Sequence, residues 1–113
     1  MRIAHVNVAR SFRGGERQTE LLIRELDRHG IDQILVARRG SALARRFDDI
    51  DIDLRLVSGQ LPSVVRATRG ADIVHVHEGR SVYAAWIRRK LFGTPYIVTR
   101  RVNNPISDHR VAH

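Results

Sequence analysis

Two histidines one residue apart, His75 and His77, run into Glu78, Gly79 and Arg80, and these are the residues of the chain whose types and spacing best suit chemistry. Alternation along a strand sends both imidazoles to the same side, which superficially suits a metal ion. A third or fourth ligand is not evident nearby in the sequence, so no metal is expected. His77, at the end of its strand, is the candidate catalytic residue. His75 reads as a satisfied, partly buried histidine. Glu78 fits two roles equally, a base or a cap for the helix that follows.

A second cluster is Arg13-Gly14-Gly15-Glu16, placed at the mouth of a helix. Paired glycines let backbone approach a ligand closely, and the free N–H groups of a helix start favour phosphate. The plain alternative is an ordinary strand-to-helix turn. A third cluster, Arg100-Arg101, follows the last strand and can grip an anionic substrate or pair with Asp108 and a neighbouring carboxylate. With Arg13, Glu78 and Arg80, these residues make up the candidate substrate-binding set: Gly14, Gly15, Arg13, Glu78, Arg80, Arg100 and Arg101.

The motifs exclude several chemistries. There is no Ser-His-Asp order, nucleophile elbow or Gly-Lys-Ser/Thr phosphate loop. The dinucleotide fingerprint Gly-x-Gly-x-x-Gly is missing, and the second strand ends in Arg38-Arg39 where an acidic residue would hold a ribose. Arginine there suits the extra phosphate of NADP, which keeps an NADP-binding protein as an alternative. No Cys occurs, so there is no disulfide framework or thiolate nucleophile.

Short apolar runs place these clusters. Strands are expected at Arg2–Val8, Gln33–Ala37, Asp53–Val57, Asp72–Val76 and Tyr96–Thr99. The helix from about Glu16 to His29 has an apolar face of Thr19, Leu22, Ile23 and Leu26, with Arg17, Glu20, Arg24, Asp27 and Arg28 opposite, and Gly30 stops it. Ser41 can cap a short helix carrying Leu43 and Phe47. Pro62 suits the first turn of another, which Gly70 ends. In the helix from Ser81 to Phe92, residues 82–87 are apolar all round and should pack deeply, while Arg88, Arg89 and Lys90 should reach solvent.

Strands alternating with helices predict a parallel sheet of about five strands in a doubly wound, three-layer α/β domain. With strand order 3-2-1-4-5 the order reverses between the first and fourth strands, and Gly14-Gly15 faces His77-Glu78 across the crevice. The polar clusters then share the carboxyl edge of the sheet, where such folds bind ligands. The 113 residues are enough for one modest core, and 42% hydrophobic and 28% charged content are those of an ordinary folded domain. The net charge of +8 rests on arginine, since Lys90 is the only lysine. A basic balance raises a nucleic-acid-binding module as another alternative, but the six aromatic residues fall mainly at core-like positions, so no nucleic acid is expected. No secretory signal or 18-residue apolar stretch is found, which makes the cytoplasm the expected compartment.

Three segments carry a resemblance: Met1-Arg2-Ile3-Ala4-His5-Val6-Asn7 running into Gly14-Gly15-Glu16; Asp72-Ile73-Val74-His75-Val76-His77-Glu78-Gly79-Arg80; and Pro95-Tyr96-Ile97-Val98-Thr99-Arg100-Arg101-Val102. In this order the chain resembles the amino-terminal domain of a glycosyltransferase family 4 enzyme of the GT-B fold. The resemblance implies a Rossmann-like domain that binds mainly the acceptor, facing a second domain that holds the nucleotide-sugar donor. It implies that Gly14 and Gly15 approach the donor diphosphate, and that His77 sits near the transferred sugar. It further implies retention of anomeric configuration, no metal or other cofactor, and a lipid-linked or cell-envelope glycan acceptor, as in members that build lipopolysaccharide. A basic rim and Arg88-Arg89-Lys90 would suit an anionic acceptor or peripheral contact with the inner face of the cell membrane. The carboxyl-terminal donor domain, with its Glu-x7-Glu motif, is not among these residues. The expectation is therefore an incomplete acceptor domain, inactive alone, whose exposed apolar surface can drive self-association.

Overall fold

The computed structural model describes residues 1–99. The expected Arg100 and Arg101 lie outside the described residues. Five strands, β1 (Arg2–Asn7), β2 (Asp32–Arg38), β3 (Asp53–Val57), β4 (Ile73–Val76) and β5 (Tyr96–Val98), form one sheet in the order β3-β2-β1-β4-β5. Every pairing is parallel. The doubly wound α/β reading and its strand order are borne out.

The sheet has helices on both faces because its strands alternate. On one face Ala4, Val6, Val8, Ile34, Val36, Val74 and Val76 pack with Val64 of α2 (Leu61–Ala67) and with Ala84 and Ala85 of α3 (Val82–Phe92). On the other, Leu35 and Ala37 pack with Ile23 of α1 (Gly14–Arg28) and with Leu43, Ala44 and Phe47. The β-branched strand residues suit a surface buried on both sides. The odd positions of β1 turn toward the α1 face, and there the run is polar: His5 and Asn7 are both fully buried.

Several boundaries differ from the sequence reading. β1 stops at Asn7, one residue before Val8, and α1 begins at Gly14. The short helix expected after Ser41 is a single 3-10 turn, Leu43–Arg45, with the Ser41 hydroxyl accepting the Ala44 N–H. Gly30 (φ 72°) and Gly93 (φ 76°) adopt the left-handed conformation just past α1 and α3, as helix stops do. Glu20, expected on the solvent face of α1, is buried because its carboxylate is clamped by Arg24 at 3.0 Å and Arg46 at 2.7 Å.

The largest correction concerns α3. Its apolar half is not deeply packed: Tyr83 is 71% exposed and Trp86 46% exposed. Arg88, expected in solvent, is buried. Ala84 and Ala85 are buried against the sheet with Val82 packed beside them, the aromatic residues are exposed, and Arg88 turns inward toward α2. There its guanidinium donates to Thr68 Oγ1 at 3.0 Å and to the Val65 carbonyl at 2.9 Å, and it lies 4.3 Å from the Phe92 ring centre. Arg88→Ala is expected to cost about 2–3 kcal/mol in urea denaturation, since it strips two charge-assisted hydrogen bonds from the end of α2. The exposed neighbour Arg89→Ala should stay within about 0.5 kcal/mol. Equal effects would mean that Arg88 does not join the helices.

Candidate functional site

The carboxyl edge of the sheet gathers the loops after β1 and β4, which are neighbouring strands. The loop after β1 is tied to the start of α1 through buried Asn7. Its Oδ1 accepts the Ala9 N–H at 3.2 Å, and its Nδ2 donates to Thr19 Oγ1 at 3.1 Å and Glu16 Oε2 at 3.3 Å. The other Glu16 oxygen receives the Arg13 N–H at 3.0 Å, and the Thr19 hydroxyl donates to the Gly15 carbonyl at 3.0 Å. These bonds fix the stretch that presents Gly14 and Gly15. Neither glycine has a positive φ. A Cβ on Gly14 would meet nothing within 4 Å. Backbone geometry therefore does not require glycine at Gly14, and its face is open to an approaching group. Arg13 and Gly14 are exposed, and Gly15 is half-buried.

Opposite lies the histidine group. Register pairs His5 with His75, and His77 stands two residues further along the same face. The rings of His75 and His77 stack at 4.0 Å, and His5 lies 5.7 and 5.2 Å from them. His5 and His77 are buried, while His75 is half-buried with Nε2 on the Thr99 hydroxyl.

Partners determine where the protons sit. Gln33 Nε2 donates to the Ile23 carbonyl at 3.0 Å, which leaves Gln33 Oε1 facing His5 Nε2 at 2.7 Å. His5 Nε2 must then be the donor. Burial, followed by the charge of His75, outweighs the Gln33 bond and lowers the His5 pKa to about 4. His5 is therefore neutral near pH 7, and its Nδ1 accepts from His77 Nε2 at 3.0 Å. In neutral His77 this leaves Nδ1 as the basic nitrogen. A line of hydrogen bonds thus runs from α1 through β2 and β1 to the end of β4.

The three histidines offer one nitrogen each within 4.8 Å of one another, a spacing that can hold a divalent ion. Sequence reasoning missed the third member, His5. A third histidine thus stands where the sequence reading found none, and His5 and His77 also share a hydrogen bond. The signal that could have exposed it was the alternation of His5 and Asn7 within an otherwise apolar strand.

Other expected residues find definite places. Glu78 takes the capping role left open by the sequence: its carboxylate accepts the Arg80 N–H at 2.7 Å and the Ser81 hydroxyl at the start of the turn before α3. Arg80 is exposed. Arg38 is not displayed for a ribose phosphate, since Nε donates to the Val8 carbonyl at 2.9 Å and Nη1 to the Ser58 carbonyl at 2.7 Å.

With this geometry in place, comparison with known families is decisive, because the family model of the glycosyl transferase 4-like domain matches residues 13–112. The chain belongs to that family. No curated protein matches it. The glycosyl transferase 4-like domain match covers both the Gly14-Gly15 helix start and the His77 strand end, and it supports sugar transfer as the activity to which this domain contributes. No helix among the described residues is long and apolar enough to cross a membrane.

Proposed function

We propose that this chain is the acceptor-side part of a retaining glycosyltransferase, which moves a sugar from a nucleotide-sugar donor to a lipid-linked or cell-envelope glycan. The observation that carries the reading is the juxtaposition, on neighbouring strands of a family-matched sheet, of an open glycine helix start and a histidine held by a buried hydrogen-bond chain. Gly14 and Gly15 allow a donor diphosphate to come close to backbone. His77, buried under the rim, orients or exchanges a proton with a hydroxyl near the transferred sugar. Exposed Arg13 and Arg80, with Arg100 and Arg101, supply positive charge for the acceptor, and Glu78 shapes the loop that holds Arg80.

A donor-binding domain completes the enzyme in this reading, and the chain by itself turns nothing over. Peripheral attachment to an anionic membrane belongs to the same proposal. Tyr83, Trp86, Leu91 and Phe92 expose apolar surface along α3, beside exposed Arg89 and Lys90. Aromatic and basic groups together suit a headgroup interface.

The test is a transfer assay with radiolabelled UDP-, GDP- and ADP-sugars and a cell-envelope glycolipid extract. The chain alone should retain glycolipid and transfer no label. Label transfer by these 113 residues would contradict the division between two domains. Retention of NADPH or an oligonucleotide in place of glycolipid would contradict the reading as a whole.

A further inference from the structure

The carboxyl edge carries a second concavity, on the far side of β1 from the histidines. It lies where β1, β2 and β3 end, has a volume of about 380 Å³, and is lined by Arg10, Arg38, Arg39, Ser41 and Ser58 among others. Among the described residues three guanidinium groups border it and no carboxylate does. Five other arginines do meet acids: Arg2 meets Asp32 and Asp53, Arg24 meets Glu20 and Asp49, Arg28 meets Glu25, Arg46 meets Glu20, and Arg55 meets Asp53. Among the described residues Arg10 and Arg39, both exposed, form no such pair. What sets the cleft apart is that three guanidinium groups gather at one concavity where no carboxylate of the described residues stands.

The cleft is also braced. The Arg38 bonds to the Val8 and Ser58 carbonyls tie the ends of β1, β2 and β3 through one guanidinium. Gly59, at φ +97°, makes room for it, since a Cβ there would fall 2.5 Å from Arg38 Nη2. Arg38 thus forms a fixed positive wall, and like charges held side by side repel one another until an anion sits between them.

We propose that this cleft is an oxyanion subsite in which Arg10 and Arg39 grip a phosphate group carried by the glycan acceptor, within the field of Arg38. The choice of acceptor rests on the function proposed above. The grip follows from guanidinium geometry, which matches phosphate with paired N–H donors.

The test is an amide NMR titration of the full chain with inorganic phosphate, with glucose 1-phosphate, and with vesicles of anionic or neutral lipid, all at constant ionic strength. Saturable shifts are expected at Arg39, Gly40, Ser41 and Ser58 with both soluble phosphates. Arg10→Ala and Arg39→Ala should each weaken binding by about tenfold, as loss of a charge-assisted bond implies. Arg28→Ala removes the same charge at the far end of α1 and should leave binding unchanged. Equal weakening by Arg28→Ala would overturn the subsite in favour of a net-charge effect. Shifts confined to anionic vesicles would overturn it in favour of lipid. If a glycan acceptor shifts Gly14, Gly15 and His77 while phosphate leaves Arg39 untouched, the subsite is wrong and the acceptor reading stands. Phosphate binding at Arg39 with no glycan binding would sink the acceptor reading and leave an anion site.

Discussion

Gln33→Leu should lower the stability of this chain by about 3 kcal/mol, although it exchanges a polar side chain for an apolar one at a buried position. The substitution removes the acceptor of His5 Nε2–H and the donor to the Ile23 carbonyl, both inside the α1 face. Each buried polar group left without a partner costs about 1–3 kcal/mol, more than added apolar contact is expected to return. Urea denaturation near pH 7.5 measures the loss. Long-range proton–nitrogen NMR of the imidazoles should show His5 and His77 both protonated at Nε2 in the unaltered protein, with that pattern disturbed in the variant. A loss below about 0.5 kcal/mol with unchanged imidazole signals would mean that Gln33 does not set the tautomer of His5.

The second large effect is acid sensitivity. His5 has a folded-state pKa of about 4 against an ordinary value of 6.5. Between those values the unfolded chain takes up a proton that the native protein refuses, so stability falls as the pH drops. The contribution is fully present above pH 6.5 and is lost progressively down to pH 4. At 1.36 kcal/mol per unit, about 2 kcal/mol is gone by pH 5 and about 3 kcal/mol by pH 4. His75 on β4 and His77 just past its end face the same ring, so the comparison is made with His5→Gln, which removes this one proton site. The unaltered chain should lose about 2 kcal/mol more than His5→Gln between pH 7 and pH 5. Parallel pH profiles would show that His5 is not held neutral by its surroundings.

The sheet was legible because its signals are local and repeated. Runs such as Ile34-Leu35-Val36-Ala37 are apolar on both faces, and Gly30 and Gly93 mark the ends of α1 and α3 as left-handed stops. Alternation of strands and helices implies a parallel sheet, and the order β3-β2-β1-β4-β5 is a common one for such sheets. Side-chain partnerships across the sheet were not legible, because sequence spacing says nothing of contacts made 28 or 72 residues away, as between His5 and Gln33 or His5 and His77. His5 therefore read as an interruption of a strand when it is the middle of a hydrogen-bond chain. The α3 error has a related origin. Residues 82–87 look buried by composition, but Ala84 and Ala85, with Val82 beside them, are the ones packed on the core while Tyr83 and Trp86 are exposed, and the arginine turns inward, its long stem reaching Val65 and Thr68. The histidine-glutamate-glycine segment and the paired glycines carried the family resemblance, and the family match supports it.

The measurement that bears most directly on the ligand site is an NMR titration of the labelled chain with UDP-, GDP- and ADP-sugars, NADPH and a short oligonucleotide. One nucleotide sugar should produce weak, saturable shifts confined to Gly14, Gly15 and the His77 imidazole. Strong shifts with NADPH or the oligonucleotide, and none with any sugar nucleotide, would contradict the assignment of this edge to sugar transfer.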